Sequence, residues 1–76
     1  MPTYVKLTSR QWAALMAVRS HLNIGFALGI SAGDAAELRQ FLLAQKLIES
    51  KLGGDAVTLA GQEALDDNDP SRRQMV

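Results

Sequence analysis

Apolar residues recur at helical spacing in two stretches of this chain and then alternate in a short third stretch. From Ser31 onward, apolar positions three or four residues apart predict a long helix that ends near Lys46. Residues 47–52 and 56–59 then predict two antiparallel strands, because residues 53–55 tolerate the positive φ of a hairpin turn. We expect the rest of the chain to pack around this helix and hairpin.

A first helix is predicted to follow Thr8. Thr8 and Gln11 have the spacing of a capping box, in which each side chain bonds the backbone N–H of the other residue, and Ser9 is the alternative cap. Apolar positions then repeat every three or four residues, at Trp12, Leu15, Met16, Val18 and Leu22. Trp12 is expected to anchor the core, with its indole N–H reaching a hydrogen-bond acceptor.

Residues 23–30 fit two interpretations. Gly25 and Gly29 each weaken a helix by about 1 kcal/mol relative to alanine, yet the apolar residues between them are unsuited to an exposed loop. We favour a short helix over residues 24–28, closed by Gly29 in a left-handed turn. A buried strand is the alternative, because the apolar residues also alternate. Ser31 then caps the long helix, with Asp34 in its first turn.

The two ends of the chain carry weaker patterns. Residues 4–7 predict either a third strand at the hairpin edge or a lead-in to the first helix. A short final helix is predicted after residue 59, with Ala60, Ala64 and Leu65 turned inward. We therefore expect one domain over residues 1–65. Residues 66–76 predict a disordered tail, because they combine a proline and clustered charge with no periodicity.

Composition argues against several classes of function. The chain has no cysteine and a single histidine, His21, so neither a metal site nor a cofactor is expected. It has no apolar run of the roughly 18 to 20 residues that span a membrane, and we expect a soluble, cytoplasmic protein. It also lacks a nucleophile beside a base, paired carboxylates and a phosphate-binding glycine loop, so we do not expect an enzyme.

Charge is distributed unevenly along the chain, although the net charge is zero. Residues 1–53 contain six basic and three acidic residues, a balance of +3. Residues 54–71 contain five acidic residues and no basic one. Nucleic-acid binders usually show a clear basic surplus, because phosphate neutralisation supplies much of their affinity. This chain shows only a mild surplus in its first part.

Three motifs together resemble a known family. LTSRQWAALMAVRSH is similar to an opening helix, LGIS before the long helix to the turn of a helix-turn-helix, and VTLAGQEAL to the end of a wing. Their order, over residues 7–65, resembles the multiple-antibiotic-resistance-type regulators. The resemblance implies a small α+β fold, mostly α: a winged helix-turn-helix with three or four helices and a two- or three-stranded β wing. The segment before Gly29 is short for this family, which implies a truncated first half of the motif.

The resemblance also implies a function, as a non-enzymatic DNA-binding module of a small transcriptional regulator. Six residues are the expected DNA contacts: Ser31, Glu37, Arg39, Gln40, Lys46 and Lys51. The face of the long helix would read bases poorly, because it offers no Arg or Lys to grip guanine. Arg39 is either a phosphate clamp or a solvated side chain paired with a nearby acid, and we favour the second interpretation.

Double-stranded DNA is the first partner implied, bound by a homodimer because one module neutralises few phosphates. The alternative is a winged helix that serves protein interaction or assembly without binding DNA. Its contact surface would combine the small residues Ala32, Gly33 and Ala36 with Asp34 and Glu37. Continuous positive charge around this helix would favour DNA, whereas an acidic or apolar patch would favour a protein partner.

Overall fold

The computed structural model describes residues 6–69. In this part of the chain the elements follow in the order α1 (Ser9–Arg19), α2 (Ile24–Leu28), α3 (Ala32–Ala44), β1 (Ile48–Lys51), β2 (Gly54–Val57) and α4 (Leu59–Asp67). α2 and α3 are consecutive helices joined by a short turn, and β1 and β2 form an antiparallel hairpin, the wing. The protein therefore has a small, mostly helical α+β fold with a winged-helix-like arrangement, as its sequence predicted.

One hydrophobic core joins α1, α3, the base of the hairpin and α4. Its buried apolar residues are Leu7, Ala14, Leu15, Ala17, Val18, Ile24, Leu42, Leu47, Ile48, Ala64 and Leu65. Trp12 packs against this core, and its Nε1–H donates to the carbonyl of Leu65 at 3.1 Å. This contact confirms the predicted role of Trp12 and fastens α1 to α4. None of the described helices is long and apolar enough to cross a membrane.

Side-chain caps determine where α1 and α3 begin. The Thr8 hydroxyl accepts from the Gln11 N–H, and the Gln11 side chain accepts from the Thr8 N–H, so the predicted capping box is present. The Ser31 hydroxyl accepts an N–H from the first turn of α3, as predicted. Between these caps, α2 is the short helix that the sequence favoured rather than the alternative strand. Gly29 closes it with a φ of 66°.

α1 and α3 end in Schellman motifs that contain no glycine. Lys46 has a φ of 60°, its N–H donates to the carbonyl of Leu43, and the next N–H donates to that of Leu42. His21 repeats this geometry, also with a φ of 60°. α3 therefore ends at Ala44, whereas the sequence predicted an end near Lys46. Leu22, predicted to continue the apolar row of α1, lies beyond the helix and is half exposed.

The hairpin turns earlier than the sequence predicted. Lys51 pairs with Gly54 and Ile48 pairs with Val57, so residues 52–53 make the turn and β2 begins two residues sooner than expected. Gly54 has a φ of 121°, a conformation that favours glycine, and it closes the hairpin. The prediction that residues 53–55 form the turn is therefore wrong. In the observed register Asp55 is a strand residue.

Thr58 and Gly61 fix the start of α4. The Thr58 hydroxyl accepts from the Gly61 N–H at 3.0 Å and donates to the carbonyl of Lys46 at 2.7 Å. Gly61 is buried against the carbonyl of Leu47, and a Cβ at this position would collide with that oxygen. The expectation that Ala60 points inward is wrong, because the cap rotates Gly61 into that place and leaves Ala60 exposed.

The first and last parts of the described chain meet beside α4. The Leu7 N–H donates to the Asn68 side-chain oxygen at 3.0 Å, and both residues are buried. Ala64 and Leu65 are buried as predicted. Packing continues to Asn68, three residues past the domain end expected at residue 65. Lys6 and Leu7 belong to no strand, while residues 4–5 and the tail from residue 70 lie outside the described residues.

Candidate nucleic-acid interface

The outer face of α3 consists of small, neutral and acidic residues. Its exposed positions are Ala32, Gly33, Asp34, Ala36, Glu37, Gln40 and Ala44. The opposite face packs inward around Leu42, which is fully buried. Glu37 and Gln40, two of the expected DNA contacts, therefore both face solvent. Asp34 and Glu37 place two negative charges on the same surface.

Ser31, a third expected contact, begins α3 as its N-cap. Its Oγ accepts from the Asp34 N–H at 3.1 Å, and the residue is exposed. A serine hydroxyl both accepts and donates, so the cap leaves its proton free for an external acceptor. Ser31 can therefore donate to a phosphate oxygen while it still caps the helix.

Arg39 is joined to the wing by a bidentate ion pair with Asp55. The Arg39 Nε donates to Oδ2 at 2.6 Å and Nη2 donates to Oδ1 at 3.0 Å, which links α3 to β2. The hydrogen bonds from Arg39 lower the pKa of Asp55, against the effect of partial burial, and the positive charge lowers it further. The same hydrogen bonds raise the pKa of Arg39. Of the two interpretations of Arg39, pairing with an acid is observed.

The two expected lysine contacts lie at opposite ends of β1 and are both exposed. Lys46 precedes the strand, and its backbone is held by the Schellman motif of α3. Lys51 ends the strand, with its Nζ 3.0 Å from a Glu49 carboxylate oxygen. Both partners of this second pair are more than half exposed, and such surface pairs contribute little. Lys51 therefore remains available to another anion.

A cavity of about 490 Å³ lies between the tip of the hairpin, residues 52–55, and the connection between α1 and α2. Val18, Leu22 and Ile24 line its apolar side, and Arg39 and Asp55 line its charged side. The hairpin tip therefore lies beside open space, whereas packed side chains support the hairpin base at Leu47 and Ile48. Asp55 is the residue of this region that sequence analysis did not include, because the predicted register placed it in the turn.

No group of three or more His, Cys, Asp or Glu side chains within residues 6–69 is arranged to hold a metal ion. The expected contact residues lie on or beside α3 and the wing, and the cavity lies beside the hairpin tip. No protein family, curated protein or solved structure matches the chain.

Proposed function

We propose that the chain is the DNA-binding winged-helix module of a small transcriptional regulator. The observation that supports this most directly is the arrangement of α2, the turn at Gly29, an α3 exposed along one face, and a hairpin immediately after it. A helix with side chains is about 10 to 12 Å across and fits a major groove about 12 Å wide. A hairpin beside that helix is then placed to follow the phosphate backbone.

The expected contact residues supply a small number of side chains that can hydrogen-bond to bases or bind phosphates. Gln40 can form two hydrogen bonds with adenine, and Glu37 can accept from the amino group of cytosine. Ser31 can donate to a phosphate oxygen, while Lys46 and Lys51 neutralise phosphates on either side of β1. The small side chains on the outer face allow α3 to approach the bases closely.

Charge limits how tightly one module binds. Two lysines neutralise about two phosphates, so the logarithm of the binding constant should fall with the logarithm of salt concentration at a slope of about −2. Two modules in a homodimer would give about −4. Asp34 and Glu37 meet phosphates as like charges and reduce affinity further. The proposal therefore includes a dimer on duplex DNA.

Amide NMR with a mixed-sequence DNA duplex at low salt, repeated at higher salt, tests this proposal. Shifts should cluster on residues 31–40 and 46–55 and should shrink as salt is added. The double variant Lys46→Ala/Lys51→Ala should bind more weakly and with a shallower salt slope. Arg10→Ala/Arg19→Ala removes the same charge from exposed positions of α1 and is the matched control. A silent titration at low salt would overturn DNA binding.

A specific observation favours a second function, a protein-interaction or assembly module. The exposed face of α3 carries Asp34 and Glu37, and the one arginine of α3 is already paired with Asp55. The positive charge that favours DNA is therefore absent from the described face of this helix. An acidic surface of small residues suits a basic protein surface, including one on a second copy of the chain.

The double variant Asp34→Asn/Glu37→Gln separates the two functions. If α3 meets phosphates, removing both negative charges should strengthen DNA binding. If α3 is an assembly surface, the wild type should form oligomers whose size depends on concentration, and the variant should dissociate. Sedimentation velocity at several concentrations and a DNA titration on the same samples read both results.

A further inference from the structure

We infer that Arg39 and Asp55 are positioning residues, which hold the wing at a fixed distance from α3 so that both elements reach DNA as one rigid surface. This inference rests on the proposed function. It assigns Arg39 to the support of the wing rather than to a direct phosphate contact.

The geometry of the pair suits this role. Arg39 uses two N–H groups and Asp55 uses both carboxylate oxygens, so the contact fixes the angle between the side chains as well as their separation. The Asp55 side chain is only 20 % exposed, against 42 % for Arg39. A planar, two-point contact of this kind restrains the tip more strongly than a single flexible ion pair.

The hairpin tip also has few other supports. Leu52, at the turn, is fully exposed, and the cavity lies directly beside residues 53–55. Exposed backbone with few packed contacts opens easily. Lys51 pairs with Gly54, the neighbour of Asp55, so whatever holds Asp55 also sets the position of Lys51 relative to α3.

Loss of the pair should therefore weaken DNA binding without unfolding the protein. A mobile tip has to be ordered when it binds, and that ordering opposes binding. For one side chain that must be immobilised, we expect a loss of about 2- to 12-fold in affinity.

The test compares Arg39→Gln, Asp55→Asn and the exchanged pair Arg39→Asp/Asp55→Arg. We expect each single variant to lose affinity and the exchanged pair to recover at least part of it. ¹⁵N relaxation of residues 51–55 in free protein should show greater mobility in each single variant. Glu49→Gln is the control, because it removes an ion pair within the hairpin that does not reach α3. It should neither raise the mobility of the tip nor lower the affinity for DNA.

Three outcomes would overturn the inference. If Arg39→Gln weakens binding while Asp55→Asn strengthens it, Arg39 contacts phosphate directly and Asp55 competes with DNA. If neither single variant changes affinity or tip mobility, the pair does not position the wing. If the exchanged pair restores low mobility but not affinity, the arginine is needed at position 39 itself. A wild type that binds no DNA would instead refute the proposed function, and the relaxation data would still report whether the pair holds the tip.

Discussion

The two ends of the hairpin differ sharply in how they are held. At the base, Leu47 and Ile48 are buried, and the Thr58 hydroxyl and N–H bond the carbonyls of Lys46 and Leu47. At the tip, the turn is exposed and a cavity lies beside it, and Asp55 reaches α3 through Arg39. The base thus belongs to the hydrophobic core, whereas the tip is attached by a polar contact.

This difference separates stability from recognition within a single hairpin. Substitutions at the base should change the free energy of unfolding, because they disturb close packing. Substitutions at the tip should change the position and mobility of the wing while the fold persists. The same hairpin therefore offers two sets of variants. Those at the base are expected to change the free energy of unfolding, and those at the tip are expected to change the mobility of the wing.

The largest effect is expected at the base, from Gly61→Ala. The added methyl group would collide with the carbonyl of Leu47 and would lie about 2.8 Å from the Val57 side chain. Neither the helix nor the strand can move without disturbing the core, so we expect a loss of roughly 3 kcal/mol or more. Urea unfolding followed by circular dichroism measures this loss. A change in unfolding free energy below about 1 kcal/mol would show that the packing at the base adjusts to the added methyl group.

Gly33→Ala is the matched control for that variant. Gly33 also lies in the first turn of a helix, but a Cβ there would have only the Ser31 Oγ within reach, at 4.0 Å. Alanine should therefore stabilise the protein by about 0.5 to 1 kcal/mol, through its higher helix propensity.

A smaller effect of opposite sign is expected from Lys46→Gly, also at the base. Lys46 holds a φ of 60°, which is strained for a residue with a Cβ, and glycine relieves that strain. We expect a gain of about 1 kcal/mol in unfolding free energy. Lys46→Ala removes the same charge but keeps the strain, and it should give no such gain. Equal stabilities for the two variants would contradict this account of the motif.

The smallest effect is the pH dependence contributed by the tip. Because Arg39 lowers the pKa of Asp55 in the folded protein, the pair stabilises the fold above the unfolded pKa, about 3.9. That contribution should be lost as pH falls through the lower, folded value. Urea titrations of wild type and Asp55→Asn should therefore converge as pH falls from about 5 through the lower, folded pKa. A stability difference that stays constant over this range would exclude the ionised pair as its source.

Local signals in the sequence predicted the helices well. The capping residues Thr8 and Ser31 and the glycine at position 29 each act within a few residues, so their effect can be read without the fold. The left-handed ends at His21 and Lys46 were missed, because the usual signal for that conformation is glycine. Both residues are exposed, and the conformation is accompanied by the backbone hydrogen bonds of the Schellman motifs.

The hairpin register could not be determined from sequence, and the site depends on it. Two adjacent glycines at positions 53 and 54 allow more than one turn, and a shift of two residues decides whether Asp55 belongs to a turn or a strand. Arg39 was expected to pair with an acid, but a partner 16 residues away has no local signature. Binding of DNA by this surface stays a prediction.

The hydrogen bond between Leu7 and Asn68 has a topological consequence. It joins positions 61 apart in sequence, so the chain enters and leaves the core at a single point. A short peptide linking these positions would close the backbone with little loss of loop entropy. New chain ends opened between residues 52 and 53 would then give a circular permutant with its core connections intact, in which the two strands of the wing stay paired but are no longer joined by a turn.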